Sequence, residues 1–222
     1  MSAPACERLL GDRIRLTRGF VAPARAAELM ATLLRETPWL AVRYENEGRP
    51  RELPRLTVNY GERSYDYSGL VFAPLPWTPL LAELRAQAEA QAETRFNALI
   101  VQLYRDGEDG VNWHADDSPG VGRDPIIASL SFGATRTFLV RPRGASAPCL
   151  TLALQAGDLL VMRGDLQHTH QHKVPREPGV TGPRINLTFR TLSGPAPQPA
   201  VAHASRVVRW PDDDDDERGG TT

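Results

Sequence analysis

The rhythm of apolar and polar positions changes near the middle of the chain. Before about residue 95, two stretches carry apolar residues at helical spacing. Ala22 to Arg35 places Ala26, Leu29, Leu33 and Leu34 on one face, and Pro38 ends the run. Pro79 to Thr94 opens with Pro-Leu-Leu and continues rich in Ala, Glu and Gln, which predicts a second amphipathic helix. Residues 13–20 alternate and read as a strand. Residues 41–45 and 51–60 flank the turn-rich Asn46-Glu47-Gly48-Arg49-Pro50, which predicts a hairpin with a basic tip. Tyr60 to Gly69 is aromatic and polar and reads as a loop or lid.

From Phe96 onward, strand follows strand. The runs are 98–104, 111–116, 126–132, 137–141, 150–154, 158–162, 168–174 and 185–191, with turn signals such as Arg105-Asp-Gly-Glu-Asp-Gly110 between them. Many short strands at this spacing predict a double-sheet jelly roll, the double-stranded β-helix. With two early helices packed on one sheet, and a hairpin or lid beside it, the fold class is α+β. The expected organisation is a flexible N-terminus (1–11), one domain (12–193) and a disordered acidic tail (194–222). Within the domain, 12–95 holds the helices and lid, and 96–193 holds the jelly-roll core.

Composition alters this picture in two places. The net charge of −1 hides a block of six acids, Asp212 to Glu217. Without that block and Arg218, the 26 basic side chains fall to 25 and the 27 acidic ones to 21, so the remaining chain is mildly basic. Nearly all of that positive charge is arginine, whose planar fork suits phosphate and carboxylate. The two cysteines, Cys6 and Cys149, have no CxxC spacing, which excludes a disulfide framework or a cysteine zinc site. No apolar run is long enough to span a membrane. A cytoplasmic monomer is the expectation.

Three segments carry candidate chemistry. In Trp113-His-Ala-Asp-Asp117, residues two apart on an extended strand share a face, so His114 and Asp116 project together. One more ligand completes a two-histidine, one-carboxylate triad with open coordination positions. His168-Thr-His-Gln-His172 alternates, so in a strand all three imidazoles face one way, and any of them qualifies as the third ligand. Arg184-Ile-Asn-Leu-Thr-Phe-Arg190 sorts Arg184, Asn186, Thr188 and Arg190 onto one face and Ile185, Leu187 and Phe189 onto the other. The polar face suits a small dicarboxylate, because arginine binds carboxylates bidentately. A metal triad beside two arginines is what a 2-oxoglutarate-dependent Fe(II) dioxygenase requires.

The segments also resemble the AlkB family of nucleic-acid demethylases, closest to its human alkylation-repair branch. The matching stretches include Pro54-Arg-Leu-Thr57, Tyr65-Asp-Tyr-Ser68, Trp113 to Asp117, Pro125 to Phe138, His172-Lys-Val-Pro175 and Pro183 to Arg190. The resemblance runs from about residue 12 to 193. It implies that His114, Asp116 and His172 hold Fe(II), with His168 and His170 as neighbours. It implies that Tyr104 and Arg184 hold the far carboxylate of 2-oxoglutarate, with Asn186 and Arg190 lining the same pocket. Gln102 stands where many members have asparagine. Tyr65, Tyr67 and Ser68 match a segment over the damaged base, and Asp117 matches an acid that contacts it.

The activity so implied is O2-dependent removal of N-methyl groups from 1-methyladenine and 3-methylcytosine in DNA or RNA, with release of formaldehyde. Arg43, Arg49, Arg51 and Arg55 on the predicted hairpin are the expected contacts to the phosphate backbone. Two alternatives stand beside this. One is a 2-oxoglutarate oxygenase of the same fold acting on a protein side chain or small molecule. The other is a jelly-roll binding module without catalysis.

Overall fold

A computed structural model describes residues 5–46, 49–67, 70–193 and 206–208. The chain begins with β1 (Cys6–Leu9) and β2 (Ile14–Thr17), then α1 (Pro23–Glu36). The strands β3 (Trp39–Asn46) and β4 (Arg49–Gly61) form the expected hairpin, and the short β5 (Tyr65–Tyr67) and β6 (Leu70–Phe72) follow. Next come α2 (Pro79–Ala92), β7 (Ala98–Tyr104) and β8 (Val111–His114). The jelly-roll core continues with β9 (Ile127–Gly133), β10 (Arg136–Pro142), β11 (Leu150–Leu154) and β12 (Leu159–Met162). It closes with α3 (Leu166–Thr169), β13 (His170–Val174) and β14 (Arg184–Arg190), and β15 (Arg206–Val208) lies beyond.

Both long helices start at proline, whose fixed φ and missing N–H cost nothing at a first turn. In α2, Thr78 Oγ1 caps by accepting from Leu81 N at 3.2 Å. That helix ends at Ala92, two residues short of the predicted Thr94, and is capped by Glu93 in the left-handed region at φ 58°. Its apolar stripe, and that of α1 (Ala26, Leu29, Met30, Leu33), lie on the outer face of the large sheet.

The large sheet has nine strands in the order β1-β2-β12-β9-β14-β7-β4-β3-β15, and the small sheet has four in the order β11-β10-β13-β8. All their pairings are antiparallel. Strict alternation sorts two cores. Leu99, Val101 and Leu103 of β7, with Ile185, Leu187 and Phe189 of β14, pack beneath the helices. Ile100 and Tyr104 point the other way and meet Phe138, Val140 and Val174 of the small sheet. Each such fully buried aliphatic side chain is worth roughly 1.5–3 kcal/mol. The two sheets therefore have a dry side under the helices and an inner side with room for polar groups.

Several sequence expectations change. Residues 6–9, expected to be flexible, pair with β2 through Cys6↔Thr17 to Leu9↔Ile14. The strand predicted over 13–20 is confined to β2, because the chain turns at Arg18 and Gly19 to enter α1. The lid contains the hairpin β5–β6, paired Tyr65↔Phe72 to Tyr67↔Leu70. The strand expected over 168–174 is broken, since α3 takes residues 166–169. Within the stretch expected to be a disordered tail, β15 adds to β3, pairing Arg206 with Ala41 and Val208 with Trp39. Ser68, residues 1–4, the tip residues 47–48 and the remainder of the tail lie outside the described residues.

Candidate active site

The site lies between the sheets because β8 and β13 are neighbours. Their register sets His114 directly opposite His172, with ring centroids 4.2 Å apart. β8 ends at His114, so Asp116 stands in the connection just beyond it rather than on the strand. The Asp116 carboxylate turns inward and is 3 % exposed. His172 is 6 % exposed, and Phe138 stacks on it with centroids 5.4 Å apart. The ligand atoms of His114, Asp116 and His172 all lie within 4.8 Å of one another.

Hydrogen bonding prepares these groups for a cation. His114 Nδ1 lies 2.8 Å from the Asn112 carbonyl. A carbonyl only accepts, so Nδ1 carries the proton and Nε2 keeps its lone pair for a metal. Burial pushes the His114 imidazole below its ordinary pKa, against the pull of Asp116 and the Asn112 carbonyl. Burial, reinforced by the charge of His114, pushes His172 down to about 3, with Asp116 opposing. Burial alone would raise Asp116, yet the Arg190 guanidinium, followed by His172 and His114, holds it well below the usual carboxylate range. The set is two neutral imidazoles and one carboxylate, the protonation that metal ligation requires.

Whether a metal fits is answered by one atom. Asp116 Oδ1 accepts from Arg190 Nη2 at 2.7 Å, but Oδ2 is buried without a hydrogen-bond partner. A buried, charged oxygen without a partner is costly. Facing two imidazole nitrogens, it has the disposition of a metal ligand, and Fe(II) suits a two-histidine, one-carboxylate set.

A cleft of about 750 Å³, counting its open mouth, extends from this triad between the sheets. All seven residues of β14 are buried, since the strand sits between β9 and β7 rather than at an edge. Its polar face, Arg184, Asn186, Thr188 and Arg190, lines the cleft with Gln102 and Tyr104 of β7. Arg184 Nη2 donates to Ser131 Oγ at 3.0 Å and to Asn186 Oδ1 at 2.8 Å, both neutral acceptors. Its Nε and Nη1 are buried without hydrogen-bond partners. Burial lowers the pKa of this guanidinium. A ligand carboxylate would supply the missing acceptors and the missing charge.

Tyr104 lies beneath Arg184, with 5.2 Å between guanidinium and ring centroid, and its hydroxyl donates to Gln102 Oε1 at 3.2 Å. Tyr104→Phe should raise the KM for 2-oxoglutarate by about tenfold, the loss of one hydrogen bond of about 1.4 kcal/mol. Steady-state rates at varied cosubstrate check this.

Other expected residues fall elsewhere. His168 is on α3, 3.8 Å from Asp124, and His170 contacts Thr169 Oγ1 at 2.8 Å; neither joins the triad. Asp117 is half exposed and pairs with Arg143 at 2.5 Å. Tyr65 and Tyr67 lie on β5. Arg43, Arg49 and Arg51 are exposed near the hairpin tip, but Arg55 is 5 % exposed and lines the cleft. Its Nη1 donates to the Gly110 carbonyl at 3.3 Å, so it is unavailable to an external phosphate. Thr57 and Asn59 of the same strand also line the cleft, as does Ser129 of β9, and none of these was singled out from sequence. The alternation of Arg55, Thr57 and Asn59 is the signal that could have found the two on β4.

A jelly roll that holds a two-histidine, one-carboxylate triad beside a buried arginine cradle defines an iron-dependent oxygenase that takes an oxo acid as cosubstrate. Comparison with known proteins agrees. The family model described as the 2OG-Fe(II) oxygenase superfamily matches residues 13–190. The alpha-ketoglutarate-dependent dioxygenase alkB homolog 3 of Bos taurus is 41% identical over 201 residues, 86% of this chain and 69% of that protein. The Homo sapiens protein of the same name is 41% identical over 82% of this chain and 66% of its own length. The DNA oxidative demethylase ALKBH2 of Homo sapiens is 33% identical over 76% of this chain and 69% of its own. The chain thus spans about two thirds of these relatives. The solved structure of OsALKBH1 matches with a TM-score of 0.61 and 17% identity, covering 84% of this chain and 100% of that one, which speaks for the fold. The chain belongs to the 2OG-Fe(II) oxygenase superfamily and, within it, to the AlkB family.

Proposed function

We propose that the protein is an oxidative demethylase of N-alkylated bases, 1-methyladenine and 3-methylcytosine, in DNA or RNA. The convergence of His114, Asp116 and His172 at the Arg190 end of β14 carries the oxidation chemistry. The substrate class is supported by relatives named for DNA oxidative demethylation and for alkB homolog 3. Fe(II), when bound with 2-oxoglutarate and O2, supplies the oxidation by which an N-methyl group leaves as formaldehyde.

The chain's own residues divide the remaining work. His114, Asp116 and His172 hold the metal, and Arg190 fixes one carboxylate oxygen of Asp116 so that the other faces inward. Arg184 and Tyr104 take the far carboxylate of 2-oxoglutarate, with Gln102, Asn186 and Arg190 completing the wall. Tyr65, Tyr67 and Ser68 cover the base, and Asp117 favours the cationic methylated form over the neutral product. An aromatic cover of this kind suits an extruded base of any sequence.

We place the catalytic domain at residues 12–193, in accord with the match over 13–190, divided at 95/96 between the helices with lid and the jelly-roll core. No helix among the described residues is long and apolar enough to cross a membrane. Cys6 and Cys149 are free and exposed, which suits a reducing cytoplasm. Leu75 is the only exposed large hydrophobic among the described residues, which suits a monomer.

Arg43, Arg49 and Arg51 give a direct test of nucleic-acid binding. Each phosphate contact removed from a single strand should lower the slope of log K against log salt by about 0.7. Replacing all three by serine should therefore flatten the salt dependence of oligonucleotide affinity, by fluorescence anisotropy, without altering metal binding. An unchanged slope would move the phosphate track elsewhere on the surface.

A further inference from the structure

Asp116 and Asp117 are consecutive carboxylates with different tasks, one turned to the metal site and the next half exposed at 2.5 Å from Arg143. Arg190 holds the Asp116 carboxylate, and a second buried side chain, Gln167 of α3, holds the backbone of the connection between β8 and β9 that carries both aspartates. Gln167 is 1 % exposed. Its Oε1 accepts the Asp116 backbone N–H at 2.9 Å, a contact across 51 residues of sequence. Its Nε2 lies 3.5 Å from Met162 Sδ on β12. Its own carbonyl accepts from Arg143 Nη2 at 2.8 Å, the same nitrogen that pairs with Asp117. Arg143 is itself anchored, since its backbone N–H donates to the Thr169 carbonyl at 2.9 Å.

We propose that Gln167 is a positioning residue for the oxidation: it fixes the peptide of Asp116 and, through Arg143, the direction in which Asp117 leaves it. The geometry explains how a ligand beyond the end of β8 is held in place. Strand pairing aligns His114 with His172, but it stops there, and Asp116 N–H has no ladder partner. Gln167 supplies the partner from α3, the element that leads directly into β13 and His172. One side chain thus ties the segment bearing two ligands to the segment bearing the third. Arg143 adds a division of labour. It touches Asp117 and the Gln167 carbonyl but not the Gln167 amide, so its loss frees Asp117 while leaving Asp116 N–H bonded.

This inference rests on the proposed metal site, and its test separates the two. Metal affinity is measured on full-length, metal-free protein by calorimetry with Mn(II) as an oxygen-stable probe. Succinate and formaldehyde are then counted in turnover with a methylated oligonucleotide. Gln167→Met keeps length and burial but removes the acceptor, and should weaken metal binding at least about tenfold, as loss of outer-shell partners generally does. It should also form more succinate per formaldehyde than the wild type, because a displaced Asp116–Asp117 segment misaligns oxidant and base. Gln167→Glu retains the acceptor and should recover metal affinity relative to Gln167→Met. Arg143→Ala should leave metal affinity unchanged and raise the KM for the methylated oligonucleotide. Wild-type protein that binds no metal would overturn the site itself. Wild-type binding together with an unchanged Gln167→Met, in both affinity and product ratio, would overturn the role of Gln167 alone.

Discussion

Replacing Arg184 by methionine should abolish 2-oxoglutarate binding yet leave the protein without cosubstrate at least as stable as the wild type. These opposite signs follow from how the arginine is buried. Arg184 is 2 % exposed, two of its nitrogens have no hydrogen-bond partner, and the third donates only to neutral oxygens. A buried cation with no anion is a burden on the fold, and apolar replacements of buried charges are often neutral or stabilising by about 1–4 kcal/mol. The same deficit is what a dicarboxylate relieves. A bidentate, charge-assisted contact to this buried guanidinium should therefore account for at least two orders of magnitude in cosubstrate affinity, about 2.7 kcal/mol. Thermal unfolding with and without 2-oxoglutarate reads both effects at once. The wild type should melt higher with cosubstrate, while Arg184→Met should melt at one temperature regardless. A cosubstrate-dependent rise in the variant would show that the carboxylate is held elsewhere.

Asp116→Ala should be inactive by at least about three orders of magnitude and, unlike Arg184→Met, markedly less stable. Asp116 joins the two halves of the site: one oxygen holds Arg190, and the other faces the imidazoles. Without it the proposed metal site loses its only carboxylate side chain, and the Arg190 guanidinium loses a charged partner at 2.7 Å in a buried setting. Removing one member of a buried ion pair typically costs about 3–5 kcal/mol. His114→Ala and His172→Ala should be equally inactive but lose less stability, since they leave that pair intact. Denaturant titration of the three metal-free variants should place Asp116→Ala well below the other two. Equal midpoints would mean that Arg190 does not depend on Asp116.

Much of this site is legible in the sequence because strand alternation is a strict rule. The period of two correctly sorts Arg184, Asn186, Thr188 and Arg190 from Ile185, Leu187 and Phe189, and the cleft lining agrees residue by residue. Alternation misleads where the strand ends. His114 and Asp116 do converge, but β8 stops at His114 and a hydrogen bond from α3 holds Asp116, which local spacing cannot reveal. The three alternating histidines divide because α3 occupies His168 and only His172 lies opposite His114. Arg55 reads as one of four hairpin arginines, yet β4 pairs with β7 and carries it into the cleft. Alternation with Thr57 and Asn59 puts Arg55 on their face, but that this face turns into the cleft depends on a neighbour more than forty residues away. The same holds for β1 and β15, whose strand character comes from the sheet edges they join.

Base demethylation at the proposed His114–Asp116–His172 centre is open to direct test. The most direct measurement is formaldehyde released from single- and double-stranded oligonucleotides carrying 1-methyladenine or 3-methylcytosine, with Fe(II), ascorbate and 2-oxoglutarate. Release should match succinate formed, require 2-oxoglutarate and disappear in His172→Ala. Full activity in His172→Ala, or succinate formed with a protein or small-molecule substrate while every methylated oligonucleotide stays intact, would contradict it.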